Sequence, residues 1–285
     1  MKTILITGAS SGLGASLALS LAARGHRVWA TMRNLEKQEA LVLSAKKKNL
    51  SITIRQLDVE NMESVTQCVA DMIATEGRID VLVNNAGAGF VRTTEQATEE
   101  EIRWVMDINF MGVVRCTKAV MPYMRVAKSG HIINISSIGG LVGQPFNEIY
   151  CAAKFAVEGY TEAMASYLET GFGIKFSVIE PAGIQSEFAK TVMSQLNSTG
   201  GIRQDDYLPL FQQYINRIQS RSSEEIARVY QSPEQVAEVV AGCIDTENPP
   251  LRLRTSPWAD EFCRFKTAAD PTGKLQQAAV IASLL

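Results

Sequence analysis

Tyr150 and Lys154 enclose Cys-Ala-Ala, one helical turn, and Ser137 stands thirteen positions before the tyrosine. A phenol is a poor proton-transfer group near neutrality because its unperturbed pKa is about 10. Residues four apart share one face of a helix. An ammonium group there favours the phenolate, so the tyrosine can both give and take a proton. A serine hydroxyl can add a hydrogen bond to a substrate oxygen on which charge develops. Ser136 lies on the same apolar run and should face the other way, because side chains alternate along a strand. The chemistry is therefore assigned to Ser137.

A second constellation lies near the start of the chain. Residues 7–14 read Thr-Gly-Ala-Ser-Ser-Gly-Leu-Gly, after an apolar run and before an alanine- and leucine-rich helical pattern. Gly8, Gly12 and Gly14 permit a tight turn and close approach of the backbone to a ligand. The helix that follows offers unpaired N–H groups and a positive dipole end to a pyrophosphate. The spacing is GxxxGxG rather than the commoner GxGxxG of dinucleotide sites.

The elements that must position these groups are legible as an alternation. Apolar runs at Thr3–Thr7, Arg27–Thr31, Ile52–Leu57, Val81–Asn84, His131–Ser136, Lys175–Ile179 and Leu251–Thr255 predict strands. Helical spacing over Leu13–Arg24, Met62–Glu76, Glu99–Lys128 and Tyr150–Thr170 predicts helices between them. Such alternation predicts an α/β fold, a parallel sheet covered on both faces, in one domain spanning 1–285. Residues 189–233 are polar and irregular, carry a flexible turn at Asn197–Gly201, and then show helical apolar spacing from Leu208 to Ile218. A long excursion between strands reads as a substrate lid, and residues 256–285 read as a C-terminal extension.

Composition bounds the function. A net charge of −2 gives no bias toward nucleic acid or anionic membrane, and Lys46-Lys47-Lys48 reads as the solvated end of a helix. The five cysteines are scattered without a CxxC pair, which argues against a disulfide framework or a zinc site and for a reducing compartment. His26 and His131 read as surface or strand-end residues, and no metal is expected. No run reaches the roughly 18 apolar residues of a membrane span, and Met1 leads straight into the first strand. A cytoplasmic protein is expected.

Thr7–Gly14, Asn84-Asn85-Ala86-Gly87, Asn109, Ser137 and Tyr150 with Lys154 together resemble the short-chain dehydrogenase/reductase family, in its order, over residues 3 to 187. The resemblance implies a Rossmann-type, doubly wound sheet of about seven strands and a nicotinamide cofactor. It implies that Tyr150 is the general acid or base and that Lys154 lowers its pKa and holds the nicotinamide ribose. It further implies that Ser137 contacts the substrate oxygen and that Asn109 holds a water in a proton relay. The cofactor would lie along Gly8, Ser10, Ser11, Gly12, Leu13, Gly14, Asp58, Val59, Asn85, Ala86 and Gly87, with Asn84 bracing the sheet. Pro181, Gly183, Ile184 and Ser186 would hold the carboxamide end. Ala182 departs from the family's usual glycine.

NAD sites commonly end the second strand in an acid. Here that position is Met32 and Arg33 follows, able to meet a 2′-phosphate. NADP(H) is the expected cofactor, with Ser11 as a second donor. Gly89–Val91, Gly139–Asn147, Ala182-Gly183 and the lid suggest an apolar pocket for a hydrophobic ketone or alcohol. Ala30–Asn34 and Pro250–Arg254 look similar to the 17β-hydroxysteroid and retinol dehydrogenase branch. A homodimer or homotetramer is expected through the helix of Tyr150. Competing readings are an NADP(H)-binding redox sensor, which tends to lose the tyrosine or lysine, and a nucleotide-sugar epimerase or dehydratase, which usually carries GxxGxxG and a larger C-terminal domain.

Overall fold

Thr3–Ile6 (β1), Val81–Asn84 (β4) and Gly130–Ile135 (β5) are buried at every position, the pattern of interior strands covered on both faces. The computed structural model describes residues 1–284 and joins these with β2 (Arg27–Met32), β3 (Thr53–Gln56), β6 (Ile174–Glu180) and β9 (Arg252–Arg254). The seven form one parallel sheet in the order β3-β2-β1-β4-β5-β6-β9. All seven strands expected from the sequence are present. The order reverses between β1 and β4, which opens a crevice at their carboxyl ends.

Alternation along the strands divides the core. Ile4, Ile6, Val81, Val83 and Ile133 pack on α1 (Gly12–Ala23) and α10 (Pro233–Asp245). Leu5, Leu82, Ile132 and Phe176 face α3 (Met62–Glu76), α5 (Gly112–Ala127) and α6 (Glu148–Phe172) on the other side. Lys46 and Lys47 end α2 (Glu39–Lys47) in solvent, as expected. Asn84 braces the sheet by donating to Asn134 Oδ1 at 2.8 Å.

Two expectations change. The single helix predicted over Glu99–Lys128 is divided into α4 (Glu99–Met106) and α5 by a π turn at Asp107–Met111. The excursion at 189–233 is not irregular. It contains α7 (Phe188–Ser198), α8 (Leu208–Gln219), α9 (Ser223–Val229) and β8 (Tyr230–Gln231), which pairs in parallel with β7 (Gly183–Ile184) just before the excursion. Beyond β9, α11 (Pro257–Thr267) packs Ala259 and Cys263 on Ile138 and Leu141, and α12 (Lys274–Leu284) docks on α6 through Gln277, which donates to Ala165 O at 3.1 Å. The C-terminal extension is therefore part of the domain; its last residue, Leu285, lies outside the described residues. No helix among the described residues is long and apolar enough to cross a membrane.

His131 stands at the strand start, as expected, but is buried rather than on the surface. Ser177 Oγ donates to Pro250 O at 2.7 Å and so accepts from His131 Nε2 at 3.0 Å, which fixes a neutral tautomer. Burial, then the nearby Lys2, Lys175 and Lys274, pushes this imidazole down to about 3. A folded-state value below the unfolded value of about 6.5 means stability complete above that pH and lost as pH falls toward 3. Urea unfolding should lose about 2 kcal/mol between pH 6.5 and pH 4.5 from this group alone. His131→Gln should flatten the slope; a variant with the wild-type slope would assign the acid sensitivity to other groups.

Candidate active site

The glycine turn is held by the end of β4. Thr7 Oγ1 accepts from the N–H groups of Asn85 and Ala86, both at 3.0 Å, and Asn85 Nδ2 donates to Thr7 O and Gly8 O at 2.9 Å. The two segments approach so closely that a Cβ on Gly8 (φ +68°) would fall 2.8 Å from Ala86 Cα. One on Gly14 would fall 2.4 Å from Gly8 O. Ser11, at the N-cap of α1, is extended and makes no side-chain cap, and the first turn carries no acid. The free N–H groups and uncompensated dipole suit a pyrophosphate. Gly12 approaches Ser186, whose Cβ would lie 3.3 Å from an added Cβ, so the segment Pro181–Ser186 arches over the turn. This cradle fits a dinucleotide.

Three cofactor-contact expectations are refined. Asn85 spends its Nδ2 donors on the turn itself, whereas Ala86 is half-buried and Gly87 exposed. Leu13 buries its side chain in the core, so only its backbone faces the cradle, while Ser10 remains half-buried. Ala182, where the family usually has glycine, packs its methyl on the cluster of Ile138 and Leu141 and has no positive φ. The departure does not disturb the loop.

At the adenine end, Asp58 is half-buried, with Oδ1 accepting from Glu60 N at 3.1 Å, and Val59 is buried beside Gly112. Met32 is buried at the end of β2. Arg33 is exposed and pairs with Glu60 Oε2 at 3.1 Å, a partner the sequence analysis did not anticipate. Exposed pairs contribute about 0–1 kcal/mol, so this one leaves the guanidinium available.

The catalytic candidates meet at the ends of β4 and β5. A Cβ on Gly87 would lie 2.8 Å from Asn109 Oδ1 and 3.6 Å from Lys154 Nζ. Asn109 is fully buried at the π turn, a deviation that concentrates at functional sites. Its Nδ2 donates to Ala88 O (2.8 Å) and Val105 O (3.0 Å), and its Oδ1 accepts from Ala88 N at 3.1 Å. Its side-chain amide is thus spent on the backbone of the β4 end and of α4. Ser137 Oγ accepts from Gly139 N at 3.0 Å, opening a short turn at Ile138–Gly140.

Lys154 Nζ donates to Ile135 O at 2.9 Å and lies 5.7 Å from the centroid of the Tyr150 ring. The expectation that Lys154 depresses the phenol is not met by the chain's own electrostatics. Burial pushes Tyr150 up to about 12, the Ser137 hydroxyl opposing the rise. Burial likewise brings Lys154 down to about 8, with Glu158 opposing. The ammonium is engaged by the Ile135 carbonyl and lies over the Tyr150 ring.

Sequence reasoning missed two further features. Phe188 on α7 meets the Tyr150 ring edge-on, centroids 6.3 Å apart, and Phe188 and Val192 close on Gly89. Their i, i+4 spacing with Leu196 was the available signal. Arg92, buried at 3% exposure, pairs with Glu101 at 3.2 Å and donates to Thr199 O at 2.7 Å, pinning the end of α7. Lys190, on the outer side of α7, pairs with Glu187 at the surface. α7 is thus packed on the tyrosine, with Phe146, Leu196 and Phe211 forming an apolar cluster behind it.

The family model described as short chain dehydrogenase matches residues 2–197. Bovine (Bos taurus) retinol dehydrogenase 8 is 40% identical over 96% of this chain and 87% of its own length. Human (Homo sapiens) 17-beta-hydroxysteroid dehydrogenase type 1 is 36% identical over 95% of this chain and 82% of its own. The crystal structure of a variant actinorhodin polyketide ketoreductase with NADPH superposes with a TM-score of 0.75 at 27% identity, covering 90% of this chain and 96% of that one. With a glycine cradle at the sheet's reversal point and a tyrosine–lysine pair beside it, this chain belongs to the short-chain dehydrogenase family of oxidoreductases, whose substrates are small molecules and whose cofactor is a nicotinamide nucleotide.

Proposed function

We propose that the protein is an NADP(H)-dependent oxidoreductase that interconverts a carbonyl and a secondary alcohol on a hydrophobic small molecule. The observation that carries this reading is the convergence of Lys154, Asn109 and Gly87 beside the glycine cradle, with Tyr150 on the same helix face as Lys154. When bound, the nicotinamide gives or takes a hydride at the substrate carbon. Tyr150 gives a proton to the carbonyl oxygen in reduction and removes it in oxidation. Ser137 donates to that oxygen as charge develops. Lys154 holds the ribose hydroxyls and supplies positive charge near the phenol, and Asn109 keeps the backbone of β4 and α4 in register around them.

Phe188 and Val192, packed over Gly89 with Phe188 against Tyr150, give the site apolar neighbours, which suits retinoid- or steroid-like substrates of the kind named for the two relatives. Tyr150, Lys154 and Ser137 are all retained, which favours an enzyme over a redox sensor. The test is NADPH oxidation with a panel of apolar ketones. Turnover supports the reading; nucleotide binding without turnover across the panel supports the sensor.

Arg33 carries the preference for NADP(H), leaving Glu60 for the 2′-phosphate. Arg33→Ala should weaken NADPH binding by about 10- to 100-fold, the worth of a charge-assisted hydrogen bond, and NADH much less. Equal losses in titrations with the two nucleotides would refute the phosphate contact.

A homodimer through α5 and α6 fits a groove of about 390 Å³ lined by Val114, Met121, Pro122, Tyr160 and Met164, with Phe155 and Tyr167 exposed along the same helix. Five unpaired, buried cysteines suit a reducing cytoplasm.

A further inference from the structure

One turn beyond Lys154, α6 buries a carboxyl. Glu158 is 6% exposed, and neither of its oxygens has a hydrogen-bond partner of good geometry. It converges with Ser136 on Gly140, where an added Cβ would lie 2.8 Å from Glu158 Oε1 and 2.5 Å from Ser136 Oγ. Behind it, Glu180 ends β6 at 0% exposure. Glu180 Oε2 accepts from Arg254 Nη1 at 2.9 Å, whereas its Oε1 is unpartnered. Arg254 is shared, since its Nε also donates to Asp260 at 2.5 Å and its Nη2 to Pro271 O at 2.6 Å.

Of the two buried carboxyls, Glu180 therefore has a share of one guanidinium that Asp260 also engages, and Glu158, acting on Glu180, has no hydrogen-bonded counter-charge of its own. Like charges held together in a low-dielectric site do not both ionise, and such a pair titrates as a unit. Burial and Glu180 together hold Glu158 well above the usual carboxylate range, and burial lifts Glu180 against the pull of Arg254 and Arg252. The other charged or titratable groups packed around Glu158 are Lys154 and Glu162 on α6, Arg252 on β9, and Cys263 on α11. Lys274 is engaged farther along by Glu169. Among these, Glu158 is the charge that favours the ammonium of Lys154.

We propose that Glu158 is a positioning residue for the carbonyl–alcohol reaction: it shares one proton with Glu180, and the negative charge left on the pair keeps Lys154 an ammonium despite its burial. The inference rests on the reading of Lys154 and Tyr150 given above. Loss of the ammonium sets the alkaline limb of the rate profile. Glu158→Gln keeps the shape and confines the pair's charge to Glu180, where Arg254 neutralises it and Lys154 no longer feels it, so that limb should move down by about one pH unit. Glu180→Gln removes the competing carboxyl, lets Glu158 ionise, and should leave the limb in place or raise it.

The experiment pairs pH profiles of kcat/KM for wild type, Glu158→Gln and Glu180→Gln with infrared spectra of the full chain at neutral pH. The wild type should show a protonated-carboxyl band that both variants lose. A role in packing alone would lower the rate at every pH and leave the limb where it was. A Glu158→Gln profile that superposes on wild type overturns the proposal, and so does a wild-type spectrum without the band. If Glu158→Gln does not fold, the wild-type band and the Glu180→Gln profile decide. If no ketone is turned over, the functional reading has failed, while the infrared arm still judges the shared proton.

Discussion

Tyr150→Phe is expected to lower kcat by about 10²- to 10⁴-fold, the worth of a positioned proton donor, while NADPH affinity stays near the wild-type value. The substitution deletes one oxygen and keeps the ring that packs edge-on against Phe188, so α7 should remain seated. Because burial raises this phenol to about 12, it is protonated at working pH and ready to donate toward a carbonyl. The chain alone thus favours the reductive role, with Lys154, brought down to about 8, as the group that titrates within reach. Rates of NADPH oxidation with a saturating ketone, together with nucleotide titrations, check the claim. A variant within tenfold of wild type, the effect of only about 1.4 kcal/mol, would exclude Tyr150 as the proton donor.

What the sequence made legible follows from how local each signal is. The β4 and α3 boundaries were read to the residue because an apolar run and an Asn61 cap mark them. The glycine cradle was legible because only glycine tolerates the approach of Gly8 to Ala86 and of Gly14 to Gly8. The π turn at Asn109 was not, since the residues on both sides of Asp107–Met111 carry helical spacing and no residue type marks the junction. The helix α7 was underread because Phe188, Val192 and Leu196 sit among mixed residues and only tertiary contact with Gly89 and Tyr150 shows which face is covered. Partners far apart in sequence were invisible for the same reason. Arg33 with Glu60, Arg92 with Thr199, and Lys154 with the Ile135 carbonyl all depend on where the sheet brings the chain together. Glu158 lies between these cases, an acid at the buried i+4 position of a helix, and that misfit is itself a signal.

Arg254→Met is expected to destabilise the fold by about 3–5 kcal/mol at pH 8.5, because it strands Glu180 as an uncompensated charge in the core. The loss should depend on pH in a stated direction. Burial raises Glu180 to about 7, above its unfolded value, so its contribution to stability is complete below the unfolded pKa and is lost as pH rises through about 7. Arg254 offsets that loss in the wild type. Below pH 7 Glu180 takes up a proton and needs the guanidinium less, so the deficit of the variant should shrink by more than half at pH 5.5. Asp260 is mostly exposed and loses little when its partner goes, whereas the donation to Pro271 O is lost at every pH. Urea unfolding at the two pH values separates these contributions. A deficit equal at both would mean that Arg254 acts as a tether for the segment leading to α12, and not as the counter-charge that lets Glu180 lie buried in the core.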